Sequence, residues 1–419
     1  MKENKQIEFK VDISNSFLKT VSAFSNYAGG TIIFGIDNNG KIVGIKNIND
    51  ICLQIENMIN DTITPQPEYE IFVNHSNKTI SLKIKSGNRK PYLYKSKAYK
   101  RNDTATIEVD NIELKRLILE GDNLDFEELT SNNQDLSFSY LEKELQEKTG
   151  IQSLDNNILK TLNLYSEGNG FNNAAVILSD NNMFPGIDLA KFGRTISIFQ
   201  KRLISESKSI LESYNDALGM YKDYYQYEIV EGASRKKVEL IPEEAFREAI
   251  ANAIVHRLWD IKSNIRVSMF DSYIEIVSPG GLPNGISEEN YLEGQISVLR
   301  NPILASVLHR LNMIEKFGTG IRRIKESYSN SKSKPEFKIT DNTIQVTLPI
   351  FIENSNLTDD EMVIYNVLSK FTFKSISEIM SIDTISFGKS KVTDLLKKME
   401  NKGAVVIKGQ GKATKYKAR

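Results

Sequence analysis

A single cysteine, Cys52, stands in 419 residues, so no internal disulfide can form. That scarcity, with no basic-then-apolar leader, makes the cytoplasm the expected compartment and secretion the unexpected one. Histidine is nearly as rare. His75, His256 and His309 lie far apart without cysteine companions, which leaves a structural zinc site without support. No apolar run approaches the ~18 residues that cross a bilayer, so no membrane partner is expected. An excess of one charge is missing too: 54 Lys and Arg balance 54 Asp and Glu. The balance is not local. After Glu400 no acidic residue occurs, while Lys402, Lys408, Lys412, Lys415, Lys417 and Arg419 follow, a basic end that points to an anionic partner.

What is present is material for several folded domains. Hydrophobic residues make up 40% and charged residues 26%, enough to bury a core and stay in solution, so disorder is excluded as the main state. At roughly 150 residues per domain the length suggests about three. The expected boundaries are 1–122, a polar and acidic helical linker at 123–165, a domain at 166–352, and a final unit at 355–419. The fold class expected is α+β multidomain.

The first segment reads as a strand at Ile7 to Val11 and a helix from Asn15 to about Ala28. Phe17, Val21 and Phe24 recur on that helix at spacings of three and four, and Gly29-Gly30 stops it. Two β-branched strands, Thr31 to Ile36 and Lys41 to Ile45, flank the turn Asp37-Asn38-Asn39-Gly40, and a second pair is expected at Tyr69 to Val73 and Thr79 to Ile84. Within the first strand, Glu8 and Lys10 are two apart and share a face. A Glu-x-Lys pair of this kind suits a divalent metal on the carboxylate, with the lysine steadying phosphorane charge. The tripeptide alone is weak, because Glu336-Phe337-Lys338 repeats it with no supporting context.

The context of the first copy carries more. Glu3, Glu8-Phe9-Lys10, the run Ala23-Phe24-Ser25-Asn26-Tyr27-Ala28-Gly29-Gly30 and Gly35-Ile36-Asp37 together resemble the Schlafen AlbA-like domain over roughly the first 120 residues. The resemblance implies Glu3, Glu8 and Asp37 as ligands of Mg2+ or Mn2+ in nucleolytic members, with Lys10 as a supporting cation. Three readings stay open: catalysis, a metal-free binding surface, and a structural role in which Asp37 merely begins a hairpin turn. Farther on, Tyr99, Lys100 and Arg101 interleave an aromatic ring with cations, a combination suited to stacking on bases and neutralising phosphates of RNA or single strands.

In the central segment the strongest helix runs from Pro242 to about Arg257, with Glu243 and Glu244 in its first turn, where negative charge suits the helix dipole. Asn173 to Ser179 reads as a strand and the stretch around Leu203 to Tyr224 as helical. Glu248 and Asn252, four apart, share a helix face. A glutamate there can activate water and an asparagine can hold magnesium against nucleotide phosphates. The order Glu248, Asn252, His256-Arg257, Ser278-Pro279-Gly280-Gly281, Arg300-Asn301-Pro302 and Glu315 to Ile321 resembles the divergent Bergerat-type ATPase domain that accompanies Schlafen AlbA domains in predicted bacterial transcriptional regulators. That fold is shared with gyrase, MutL and sensor histidine kinases. The resemblance implies an α/β sandwich that binds ATP, with Glu248 as general base and Asn252 as magnesium ligand. Gly280 and Gly281 would shape the pocket, and Gly318, Thr319 and Gly320 would bring amides to the phosphates. Ser278 stands where the fold usually carries its adenine-binding aspartate.

The last segment opens at Leu357-Thr358 with Glu361 three residues on, then offers helices near Ile376 to Met380 and at Val392 to Met399, and strands flanking Gly409-Gln410-Gly411. This is the order of a winged helix-turn-helix. Lys389, Lys391, Lys397, Lys398 and Lys412 are its expected phosphate contacts. Two functions follow from these parts. One is a metal-dependent nuclease of RNA, tRNA or single-stranded DNA, gated by nucleotide, an effector such as phage defence employs. The other is a non-nucleolytic, ATP-binding transcriptional regulator that binds DNA through its winged helix. Winged-helix proteins as a class make a homo-oligomer the expected state.

Overall fold

A computed structural model describes the chain apart from residues 1, 194, 232–233, 284–285, 295–297, 315–318, 353–356, 370–371, 383, 410, 412–413 and 419. It divides into two compact units, residues 1–129 with 283–287, and residues 130–282 with 288–419. Both mix helices with sheets, an α+β architecture. Among the described residues no helix is long and apolar enough to cross a membrane.

The first unit opens with β1 (Ile7–Lys10), α1 (Ser16–Asn26), β2 (Gly30–Phe34) and α2 (Ile48–Thr62). A short β3 (Ile63–Thr64) follows, then β4 (Tyr69–Asn74), β5 (Thr79–Ile84), β6 (Leu93–Tyr94), β7 (Tyr99–Asn102), β8 (Ala105–Glu108) and α3 (Asn111–Gly121). The main sheet has the order β1-β2-β5-β4, with β1 parallel to β2 and the other neighbours antiparallel. Phe17, Val21 and Phe24 of α1 pack with Ile32, Phe34, Ile80 and Leu82 in one apolar cluster, the face that the three-and-four spacing predicts. In the register of β1 on β2, Glu8 sits opposite Ile32 and Lys10 opposite Phe34. Because Ile32 and Phe34 face α1, strand alternation puts Glu8 and Lys10 on that same side. The expected second hairpin strand is reduced to a bridge between Ile36 and Ile42, because Asp37 draws its side chain into the turn instead.

The second unit begins with α4 (Ser139–Thr149) and α5 (Asn156–Thr161), so the acidic stretch expected as a linker is folded from residue 130 onward. The Asp180 carboxylate caps α4 by accepting from the amides of Ser139 and Tyr140. After the ribbon β9 (Tyr165–Ser166) and β10 (Gly170–Phe171), Asn173–Leu178 is helix α6, not the expected strand. The Asn172 side chain accepts from Ala175 N and starts it, and every residue from Ala174 to Leu178 is buried, which removes the periodicity that would have announced a helix. Then come β11 (Ile187–Phe192), β12 (Phe199–Ile204), α7 (Ile210–Tyr225), the ribbon β13 (Gln226–Glu231) and β14 (Ser234–Glu239), and α8 (Glu243–His256). They are followed by β15 (Ile265–Met269), β16 (Tyr273–Pro279), α9 (Glu288–Glu293), α10 (Pro302–Arg310), α11 (Gly320–Ser327), β17 (Glu336–Ile339) and β18 (Thr343–Pro349). Six of the strands form one mixed sheet, order β12-β11-β15-β16-β18-β17.

A third core lies at the end of the chain, formed by α12 (Asp359–Val367), β19 (Lys374–Ser375), α13 (Ile376–Met380), α14 (Lys389–Asn401), β20 (Val405–Lys408) and β21 (Lys415–Ala418). Thr358 and Glu361 close a reciprocal capping box on α12, and Ser375 with Glu378 repeats it on α13. Ile364, Ile379, Val392, Leu396 and Met399 meet Val405 and Tyr416 of a sheet ordered β19-β21-β20.

Candidate functional site

The parallel pairing of β1 with β2 carries Glu8 beneath α1, where it is only 5% exposed. Its Oε2 accepts from Thr20 Oγ1 at 2.6 Å and from Arg101 Nη1 at 2.6 Å, and its Oε1 lies 2.6 Å from Lys10 Nζ. Arg101 also donates to Thr106 Oγ1 at 3.0 Å and to the carbonyl of Asn4, and its guanidinium lies 5.8 Å from the Phe24 ring. Thr20 and Thr106 meet at 2.8 Å. Two cations and a hydroxyl therefore neutralise one carboxylate in a low-dielectric setting. Thr20 and Thr106 carry no local sequence signal; only the fold brings them to Glu8.

The other two acids of the expected metal trio each engage backbone amides through one oxygen. Glu3 Oε1 accepts from Phe9 N at 2.7 Å, which ties the entering chain to β1. Asp37 Oδ1 accepts from Asn39 N at 3.0 Å and Lys41 N at 2.8 Å, an Asx-type turn. Among the described residues no group of three His, Cys, Asp or Glu is arranged to hold a metal ion. The donor set as it stands does not fit Mg2+ or Mn2+. The second Glu-Phe-Lys copy lies on edge strand β17 with Glu336 and Lys338 exposed, so identical tripeptides sit in opposite environments.

Tyr99, Lys100 and Arg101, expected as nucleic-acid contacts, are turned to internal work. Tyr99 is 7% exposed, Lys100 pairs with Glu113 at 2.5 Å, and Arg101 holds Glu8. Glu113 accepts in turn from Tyr27 OH at 2.6 Å; burial first, and this bond second, push the Tyr27 phenol well above its ordinary range.

In the second unit, Glu248 and Asn252 meet on α8, Nδ2 donating to Oε1 at 3.3 Å. The start of α11 lies directly over them. A Cβ at Gly320 would fall 2.2 Å from Glu248 Oε1 and 2.6 Å from Asn252 Nδ2, so only glycine allows this approach with the pair in place. Thr319 precedes it, its Oγ1 buried and without a hydrogen-bond partner among the described residues. Gly318 and Lys412 lie outside the described residues. Gly281 is needed for a different reason, since a Cβ there would sit 2.5 Å from the Asp341 carbonyl and 2.6 Å from that of Thr340. Gly280 has φ +107° and faces Leu258 and Arg300.

Ser278 is buried and donates its hydroxyl to the Ala253 carbonyl at 2.9 Å, so it braces β16 on α8. Arg300 and Asn301 close the end of α8: Arg300 Nη1 donates to His256 O, and Asn301 Nδ2 to Val255 O and Arg257 O, carbonyls that a helix end leaves unpaired. Arg257 is fully buried, donates to the carbonyls of Pro185, Ile261 and Ser263, and stacks 4.2 Å over Trp259. Burial lowers it to about 10, so it stays charged at neutral pH. Burial, and then the charge of Arg300, push His256 down to about 4, which keeps its imidazole neutral. Of the C-terminal lysines, Lys389, Lys391, Lys397 and Lys398 all lie exposed on α14.

Residues 3–110 match the family described as "Schlafen, AlbA_2", and residues 262–348 match the one described as "Putative ATP-dependent DNA helicase recG C-terminal". Helix α8, with Glu248 and Asn252, precedes the second matched stretch. An "Uncharacterized ATP-binding protein" of Ureaplasma parvum serovar 3 is 38% identical over 78 residues, 17% of this chain and 22% of that protein's length. The crystal structure of the DIP2311 protein from Corynebacterium diphtheriae aligns over 99% of this chain and 92% of its own, with TM-score 0.50 and 19% identity, a likeness of fold.

Proposed function

We propose that this chain, built on a Schlafen AlbA_2 domain and a recG C-terminal-type ATPase domain, is a nucleotide-binding regulator that holds nucleic acid without cutting it. The observation that carries this reading is the neutralised Glu8. A nuclease of the expected kind needs Glu3, Glu8 and Asp37 on one ion, whereas each carboxylate here has its own partners inside the protein. Arg101 and Lys10 use Glu8 as an anchor, which fixes β7 against β1.

In the second unit the nucleotide phosphates would approach the Thr319-Gly320 start of α11, above Glu248 and Asn252. Asn252 would orient the phosphate end, and Glu248, already bonded to it, would hold its amide in place. Ser278 is buried, spends its hydroxyl proton on Ala253 O, and brings no carboxylate to accept from an adenine amino group. ATP and GTP should therefore bind within about tenfold of one another, a gap of about 1.4 kcal/mol or less. Isothermal titration of both nucleotides checks this, and strong preference for ATP would move the adenine contact to another residue. Gly320→Ala should leave the melting temperature nearly unchanged, because the flexible end of Glu248 can yield, yet weaken nucleotide binding by displacing the Glu248 and Asn252 pair. Equal affinity in Gly320→Ala and wild type would remove this face of α8 from the site.

For the C-terminal core, the order helix, strand, helix, helix, strand, strand with a sheet ordered β19-β21-β20 supports a winged helix serving as the DNA-binding module. The whole reading is tested by incubating the pure protein with tRNA, single-stranded DNA and duplex DNA in magnesium or manganese. Binding with every substrate intact is expected. Cleavage that disappears in Glu8→Ala would establish the nuclease in its place.

A further inference from the structure

Charge on the C-terminal core is distributed differently from its lysine count. On the flank of α14 that faces α12, Lys391 Nζ lies 2.7 Å from Asp360 and 4.3 Å from the Phe387 ring centre. Lys402, just past the helix, donates to Glu361 at 2.6 Å. Lys398 lines an open groove of 710 Å³ with Asp359, Asp360 and Asp394. Acids at the start of α12 thus offset the cations along this side.

The sheet is the opposite case. In the register of β20 on β21, Lys408 stands directly across from Lys415, and Val406 across from Lys417. Val405, Tyr416 and Ala418 are buried in the core, so alternation places Lys408, Lys415 and Lys417 together on the outer face. Like charges directly opposite on neighbouring strands destabilise a sheet. No carboxylate pairs with these three lysines among the described residues; the Phe373 ring centre lies 5.7 Å from Lys408 Nζ and 5.3 Å from Lys417 Nζ. The ring gathers the ammonium groups without cancelling their charge. A fold that keeps an uncompensated cation cluster at a cost to its own sheet is suited to a polyanion.

We infer that the outer face of β20 and β21, with Phe373 behind its lysines, is the surface that grips the phosphate backbone of duplex DNA, while the α12-facing flank of α14 contributes little. This rests on the nucleic-acid reading above. Duplex is favoured over single strands because the Phe373 ring is already engaged by two ammonium groups and offers no open platform for a base. Point charges on a rigid strand face read backbone position, not sequence.

The test is fluorescence anisotropy of the full chain on a mixed-sequence duplex across a salt series, with single-stranded DNA and RNA of the same sequence beside it. Each phosphate contact contributes about 0.9 to the slope of log K against log salt. Lys408→Ala, Lys415→Ala and Lys417→Ala combined should lower the slope by about 2 to 3 and weaken low-salt binding more than tenfold, with a melting temperature no lower than wild type. Lys391→Ala with Lys398→Ala should change neither. Should the triple alanine variant misfold, the three glutamine substitutions serve the same comparison. A slope lost in the α14 pair and kept in the sheet variant overturns the inference, as does tighter binding of RNA or single strands through the same lysines. A wild-type chain that binds none of the three would instead remove the nucleic-acid reading beneath it.

Discussion

Arg101→Ala should cost the first unit about 3–5 kcal/mol, the usual penalty for removing one partner of a buried ion pair. The side chains of Arg101 and Glu8 are 5% and 6% exposed and meet at 2.6 Å. Without the guanidinium, Glu8 keeps Lys10 and Thr20 but loses its most deeply buried cation, and Thr106 and Asn4 O lose a donor. Adding Glu8→Gln to Arg101→Ala should recover part of the loss, because the stranded charge is then gone. Hydrogen exchange read segment by segment locates the effect: β1, α1 and β7 should lose protection while α8 keeps it. Unchanged exchange in β1 would mean the network is not the anchor described.

Acid should weaken the second unit through His256 before most carboxylates titrate. The folded imidazole is pushed from 6.5 down to about 4 by burial and then by Arg300. The unfolded chain therefore takes up a proton first as pH falls, and stability rises with pH across this window. It is fully present above about 6.5 and lost on the way to about 4. At about 1.36 kcal/mol per pH unit, the loss between pH 6.5 and 5 is roughly 2 kcal/mol. Denaturant melts of wild type and His256→Gln at several pH values read it directly, and the variant should show a flatter profile. Parallel profiles would assign the acid sensitivity to other groups.

How much of this was legible from the sequence depended on whether the signal was local. The capping box of Thr358 and Glu361 and the Pro242-Glu243-Glu244 start announced α12 and α8, and the helices begin where those residues require. The strand pair expected at Tyr69 to Val73 and Thr79 to Ile84 lies there as β4 and β5. Where burial is complete the period vanishes, so α6 read as a strand and only the Asn172 cap betrays it. Leu203 and Ile204 belong to edge strand β12 although their composition continued a helical stretch. The site divides in the same way. Glu8 and Lys10 were legible as a pair two apart, but Arg101 reaches Glu8 across 93 positions of sequence. No spacing rule could show that the cation expected on nucleic acid would be the one that neutralises the expected metal ligand. Gly281 was expected to shape a nucleotide pocket and Gly320 to bring amides to phosphates; what lies close to them is protein, the carbonyls of Thr340 and Asp341 at Gly281 and the Glu248 and Asn252 side chains at Gly320.

The central claim is that Glu8 is an anchor for Arg101 and Lys10 and not a metal ligand. Titration of nucleotide-free protein with Mn2+, followed by electron paramagnetic resonance of the free ion, tests it most directly in wild type and Glu8→Gln. Superimposable binding curves are expected, since among the described residues no group of three acids is arranged to hold a metal ion. A tight Mn2+ site present in wild type and lost in Glu8→Gln would contradict it.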